Sequence, residues 1–199
     1  MSIVTLLSGG IDSTLMCLLT KEEGIKQYPL FINYGQLSAK KEWEACQAVH
    51  KKYDLPNPVT MNLDGIGQLI SSGLTNPIAR INEDAFLPGR NLFFLLAGAA
   101  YAYQVNAGSV AIGLLNEEYR IFPDQTEEFL LKSEELLSLA LGASLKVVAP
   151  LMKFSKRDVL RLATARGIEG TYSCHMGKDS PCGICVSCIE INNALAERG

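Results

Sequence analysis

The chain opens on an apolar run without polar–apolar alternation, Ile3-Val4-Thr5-Leu6-Leu7, followed at once by Ser8-Gly9-Gly10-Ile11-Asp12-Ser13-Thr14. A strand of that kind is buried on both faces, which implies a parallel sheet covered by helices rather than a half-solvated antiparallel one. Gly9 and Gly10 lack the Cβ that would keep an anion away from backbone N–H groups. A helix is then predicted to start on the hydroxyl pair Ser13 and Thr14, at the end where the helix dipole favours negative charge. The turn therefore reads as a phosphate cradle built from Ser8, Gly9, Gly10, Asp12, Ser13 and Thr14. It contains neither G-x-x-x-x-G-K-[ST] nor G-x-G-x-x-G, so a Walker A loop and a dinucleotide fingerprint are both excluded here. An acid at Asp12 beside phosphates calls for a bridging cation, and Mg²⁺ takes carboxylate and phosphate oxygens together.

Strand and helix patterns alternate along the rest of the chain. Strands are predicted over 29–33, 59–63, 109–115 and 145–149, and helices over 38–53, 91–106 and from Asp124 to Leu141. Asp124 with Glu127 reads as a capping-box start, and Ser155 with Asp158 as a second one, its helix ending at Gly167. Residues 64–90 show no clear period and are read in part as a lid. This order predicts an α/β fold with a doubly wound parallel sheet, in which ligands bind beyond the carboxyl ends of the strands. The SGGIDST turn lies at such an end, as do Tyr34-Gly35-Gln36, Asn116-Glu117 and Met152-Lys153.

The 199 residues are 48% hydrophobic and 20% charged with a net charge of −3, which argues against a broad nucleic-acid surface. No basic segment precedes an apolar one at the N-terminus, so no secretory leader is expected. The most apolar stretch, 92–105, is shorter than the roughly 20 residues of a membrane span and is read as a buried helix. A cytoplasmic protein is the expectation, and its six cysteines are then not disulfides. Cys17 and Cys46 fall in helices as small buried hydrophobes. Cys174, Cys182, Cys185 and Cys188 form C-x7-C-x2-C-x2-C, whose close steps let four thiolates converge on one structural Zn²⁺. An iron–sulfur cluster is the rival, although a ferredoxin run has its further cysteine downstream rather than upstream. His175 is expected at the surface and His50 in helix packing. The division expected is a catalytic unit over 1–168 and a four-cysteine region over 169–199 packed on it.

The S-G-G-x-D-S-T loop resembles the pyrophosphate loop of the ATP pyrophosphatases. With YGQ at 34–36, LPGRN at 87–91, AYAYQV at 100–105, FPD at 122–124, PLMKFSK at 150–156 and the cysteine cluster, the whole chain resembles the 7-cyano-7-deazaguanine synthase family. That resemblance implies an adenine nucleotide alpha hydrolase-like (HUP-type) fold and an ATP- and Mg²⁺-dependent conversion of 7-carboxy-7-deazaguanine with ammonia, through the amide, to the nitrile. It implies catalytic roles for Asp12, Lys156 and Arg90, and substrate contacts from Tyr34, Gln36 and Asp124. In this reading Lys156 neutralises phosphate charge, Arg90 touches phosphate or holds the lid, and Asp124 reads the guanine-like edge. The family is commonly homodimeric, with no membrane and no stable nucleic-acid partner.

The chain departs from the family at 120–126, where Arg120-Ile121-Phe122-Pro123-Asp124-Gln125-Thr126 replaces a Ser-Gly-Tyr segment followed by Pro-Asp-Cys-Arg. An alternative is therefore a relative that passes the activated acyl group to another amine, such as a protein N-terminus in a defence system. Two further readings are a tRNA-modifying sulfur transferase of the same ATP-binding class and a catalytically silent interaction module organised by zinc.

Overall fold

A computed structural model describes residues 1–199 apart from 117, 119 and 197–199, so Glu117 and the end of the cysteine region lie outside the described residues. Its strands are β1 (Ser2–Leu7), β2 (Lys26–Asn33), β3 (Val59–Asn62), β4 (Ser109–Ala111) and β5 (Lys146–Val148). They form one parallel sheet in the order β3-β2-β1-β4-β5. β1 pairs with β2 from Ser2↔Lys26 to Leu7↔Phe31, and with β4 from Ile3↔Ser109 to Thr5↔Ala111. The chain builds outward to β3 and then returns to the other side of β1, so the topological switch point lies between β1 and β4.

The missing alternation in β1 has the cause expected of it. Ile3 packs with Leu15, Met16, Cys17, Leu151 and Val159, while Val4 and Leu6 pack with Leu30, Leu95 and Val110 in a separate cluster. Helices α1 (Ile11–Glu22) and α6 (Lys156–Ala165) supply the first cluster, and α4 (Arg90–Gln104) and α5 (Glu127–Leu141) the second. α2 spans Ala39–Lys52, the short α3 Gly65–Leu69 and the C-terminal α7 Val186–Ala196. Cys17 and Cys46 are buried as expected, and burial pushes the Cys17 thiol up to about 12. His50 is buried in α2, its Nδ1 2.6 Å from the Pro56 carbonyl oxygen.

Four details differ from the sequence expectation. The first helix begins at Ile11, not on the hydroxyl pair, with Gly10 as its N-cap. β4 stops at Ala111 rather than at 115, and Gly113 beyond it lies beside Asp12 and Ser13 at the start of α1. Asp124 does not cap α5; the Thr126 hydroxyl does, accepting from Phe129 N at 3.1 Å. α4 is buried along one side only. Gly98 lies against Val110 and Leu6, while Leu92, Leu96 and Tyr103 form an exposed stripe. The segment between β3 and α4 is packed as well. Leu74, Ala85 and Leu87 join Tyr34 in a cluster, and Gly73 N donates to the Asp84 carbonyl at 2.7 Å. Among the described residues no helix is long and apolar enough to cross a membrane.

A Cβ at Gly98 would come within 2.8 Å of Val110 Cγ1. Gly98→Leu is therefore expected to destabilise the fold by about 1–3 kcal/mol through overpacking, read as a lower urea midpoint at unchanged slope. Thr126→Ala removes the α5 cap and should lower the same midpoint by about 1 kcal/mol equivalent.

Candidate nucleotide site and cysteine centre

The site starts where β1 turns into α1. Gly9 has φ +71, and a Cβ there would collide with the Glu42 carbonyl oxygen, so both conformation and space require glycine. The Ser13 hydroxyl donates to Gly10 O at 3.1 Å and accepts from Ser8 N at 3.3 Å, which folds the turn back on itself. Ser8 and Ser13 line a cavity; Thr14 is buried in the first helical turn, and its N donates to Gly10 O at 3.1 Å.

Two cavities meet at Asp12. The smaller, of about 220 Å³, is lined by Ser8, Ser13, Tyr34, Gln36, Glu42, Arg90, Phe94 and His175. The larger, of about 670 Å³, is lined by Arg120, Lys156, Arg157, Arg161, Glu190 and Asn193. Asp12, Gly113, Leu114 and Gln125 belong to both. At the junction Lys156 Nζ donates to Asp12 Oδ2 at 2.6 Å, and Glu190 Oε2 stands 4.0 Å from the same ammonium. Among the described residues Asp12 Oδ1 is buried without a hydrogen-bond partner. Lys156 is the first residue of α6, and its backbone is held by the expected capping box. Asp158 N donates to Ser155 Oγ at 3.2 Å, and Ser155 N to Asp158 Oδ2 at 3.0 Å. Those bonds from Ser155 hold the Asp158 carboxyl below its ordinary value.

In the smaller cavity the Tyr34 ring packs on Phe94 with centroids 5.2 Å apart, and burial pushes its phenol up to about 12. The Arg90 guanidinium lies over the Phe94 ring, 6.0 Å from its centroid, and does not line the larger cavity with Lys156. Gln36 faces the cavity but uses its amide internally, accepting from Tyr34 N at 2.9 Å and donating to Glu42 Oε2 at 2.9 Å. Glu42 is a site carboxylate that sequence reading missed. Burial raises its pKa, and hydrogen bonds from Gln36 and Ser38 oppose that rise. Its only sequence signal is an acid in the first turn of α2 just after YGQ.

His175 corrects another expectation: it is not a surface residue but a wall of the smaller cavity, with Nδ1 buried and, among the described residues, without a hydrogen-bond partner. Burial, then the charges of Arg90 and Lys156, push its imidazole down to about 4, so the ring is neutral near pH 7. Asp124 lines neither cavity. It accepts from Asn91 N at 3.4 Å and so sits at the start of α4, while its neighbour Gln125 reaches both cavities. Gln125 Oε1 accepts from Ile121 N and Phe122 N, each at 2.9 Å, so the segment 121–125 is braced by one of its own side chains.

The sulfur atoms of Cys174, Cys182, Cys185 and Cys188 all lie within 4.8 Å of one another, a group that could hold a metal ion. Backbone N–H groups point at sulfur, from Cys182 to Cys174 at 3.4 Å and from Cys185 to Cys182 at 3.3 Å. The segment leading into this centre crosses the β1–α1 turn. Tyr172 N donates to Gly9 O at 2.8 Å, and an added Cβ on Gly10 would stand 3.2 Å from Ser173 Oγ.

Comparison with known proteins places this architecture. The chain matches the family model for Queuosine biosynthesis protein QueC over residues 2–199. It is 32% identical over 200 residues to a 7-cyano-7-deazaguanine synthase of Nitratiruptor sp., covering 94% of this chain and 90% of that one. It is 32% identical over 215 residues to the synthase of Methanothermobacter thermautotrophicus, covering 100% and 96% of the two chains. Two solved structures share the fold. A predicted subunit of tRNA methyltransferase from Methanocaldococcus jannaschii has a TM-score of 0.55 at 17% identity, covering 100% of this chain and 88% of that one. The U34-tRNA thiolase NcsA from Methanococcus maripaludis, solved with its 4Fe-4S cluster, has a TM-score of 0.54 at 15% identity, covering 98% and 64%. A parallel sheet wound about β1, a phosphate-type turn at its end, a four-cysteine centre and this end-to-end match lead to one assignment: the chain belongs to the QueC family of queuosine biosynthesis proteins.

Proposed function

We propose that the protein is an ATP-dependent carbon–nitrogen ligase that converts 7-carboxy-7-deazaguanine to 7-cyano-7-deazaguanine. The observation that carries this is the junction of the two cavities, where a carboxylate with one unpaired oxygen and a lysine meet at a helix N-terminus. Full-length relatives named for this reaction support it. The substrate carboxylate oxygen attacks the α-phosphorus of ATP, and the bond to pyrophosphate breaks. Ammonia then attacks the acyl carbon and AMP leaves with that oxygen, giving the amide. A second ATP activates the amide oxygen in the same way, and loss of AMP and the amide protons gives the nitrile.

In this reading the turn at Ser8, Gly9 and Gly10, with Ser13 and Thr14, presents donors to the departing pyrophosphate. Lys156 neutralises the charge that builds on it, worth most where water is excluded. Asp12, through its unpaired Oδ1, would hold Mg²⁺, whose charge lowers the cost of pyrophosphate departure. Tyr34 and Phe94 supply an aromatic wall for a flat base, and Arg90 and neutral His175 offer donors beside it. Asp124, which does not line the cavities, reaches substrate only with movement of 120–126, and we place Gln125 ahead of it as the contact there. Part of the segment 64–90, tied to this wall by Leu74 and Leu87, is the lid.

The thiolates of Cys174, Cys182, Cys185 and Cys188 would hold Zn²⁺ as a closed structural site. Zn–S bonds of about 2.3 Å put ligand sulfurs about 3.8 Å apart, close to the 4.0 Å between Cys182 and Cys188. A four-iron cluster puts its thiolates on separate irons and spreads them further. The unit over 1–168 then carries the β1–α1 turn and Lys156, the cysteine region packs on it and closes its cavities, and the exposed stripe Leu92, Leu96 and Tyr103 is the surface for the expected homodimer.

Incubation with ATP, Mg²⁺, 7-carboxy-7-deazaguanine and ammonium is expected to yield the nitrile and AMP by mass detection; amide alone, or no AMP, would contradict the reaction as written. Asp12→Asn should lower AMP formation about 10²–10³-fold with an unchanged melting temperature. Elemental analysis of anaerobically purified protein should find one zinc per chain and no visible absorbance, and Cys185→Ser should lose that zinc.

A further inference from the structure

Glu190 stands where a polyphosphate site has no use for an acid. It lines the larger cavity with Asp12 and Lys156, and its Oε2 is 4.0 Å from Lys156 Nζ. The lysine side chain is only 12% exposed, and its short contact is with Asp12 Oδ2 at 2.6 Å. Two carboxylates therefore flank one ammonium. A carboxylate facing phosphates repels them, so Glu190 makes physical sense as a partner for a cation. The proposed chemistry asks two things of Asp12 that conflict. It pairs with Lys156, and it is the carboxylate available to a divalent cation, whose charge would repel that ammonium.

We infer that Glu190 is a positioning residue that takes over Lys156 when Asp12 binds the divalent cation. The inference deepens the ATP reading and rests on it. With Glu190 in place, the ammonium has a second anchor already within 4.0 Å and stays beside the phosphates after it leaves Asp12. Without Glu190, Lys156 remains on Asp12 and competes with the cation. The helix carrying Glu190 explains why it can do this. α7 begins at Val186 inside the cysteine centre, Cys188 is two residues before Glu190, and α7 packs on α6, which starts at Lys156. The cysteine region thus delivers a carboxylate to the phosphate end of the site.

The test measures cation binding rather than turnover. Zinc-loaded full-length protein is titrated with Mn²⁺ in the presence of α,β-methylene-ATP, and free Mn²⁺ is read by electron paramagnetic resonance. Glu190→Gln is expected to weaken Mn²⁺ binding roughly three- to tenfold, the scale of a half-exposed ion pair. Glu190→Asp should retain most of the affinity. In a Lys156→Gln background the Glu190→Gln change should have no further effect, because the lysine through which Glu190 acts is gone. Zinc content and melting temperature report folding; if Glu190→Gln loses zinc, Glu190→Ala carries the same cycle. Unchanged Mn²⁺ affinity in Glu190→Gln overturns the inference. So does a loss that persists in the Lys156→Gln background, which would make Glu190 a ligand of the cation itself. Failure of the unaltered protein to bind Mn²⁺ with the nucleotide overturns the ATP reading and this inference together.

Discussion

The contact on which the site depends is the ion pair between Asp12 and Lys156, 144 residues apart in sequence. It joins the first turn of α1 to the first turn of α6, the two helices that cover one face of β1. Its energetic value to the fold is small, because removing two charges from water offsets most of their attraction. Its value is geometric. The β1–α1 turn sets the carboxylate and the Ser155–Asp158 capping box sets the lysine, so each side chain rests on a backbone that is already fixed. The β1/β4 switch point then opens space on both sides of the pair, which is how one fold obtains two cavities with a shared wall.

Local signals were the most legible in the sequence. The unalternating β1, the glycine turn, the Ser155 cap and the four cysteines each depend on residues a few positions apart, and each forms as expected. Competition between nearby residues caused one error: Asp124 and Thr126 can both cap, and Thr126 does so because Asp124 is drawn to the start of α4 by Asn91. The strand predicted over 109–115 ends at Ala111, and Gly113 beyond it lies beside the start of α1, a tertiary contact with no trace in the local pattern. Apolar content alone marked α4 as buried, yet Leu92, Leu96 and Tyr103 share its exposed side. Glu42 and Glu190 escaped notice, and His175 was expected at the surface, for one reason. Each is an ordinary polar residue of its own element and becomes part of the site only through tertiary packing.

The cysteine region is a wall of the site rather than an appendage. Tyr172 bonds to Gly9, His175 closes the smaller cavity and Glu190 borders the larger one. Gly177 lies so close to the Leu37 carbonyl that a Cβ would not fit, which presses the same region onto the loop after β2. On the opposite wall Gln125 holds the turn at Ile121 and Phe122, and Phe122 stacks on Phe86 with centroids 5.3 Å apart. The segment 120–126 thus forms a cavity wall with its own hydrogen bonds and an aromatic contact to the 64–90 segment.

The central claim is that a substrate carboxylate, not water, attacks the α-phosphorus. Oxygen-18 in both carboxyl oxygens of 7-carboxy-7-deazaguanine tests it most directly. The account predicts one labelled oxygen in the phosphate of each AMP formed and none in pyrophosphate, because each carboxyl oxygen departs on an adenylate. Unlabelled AMP, or release of ADP in its place, would contradict it.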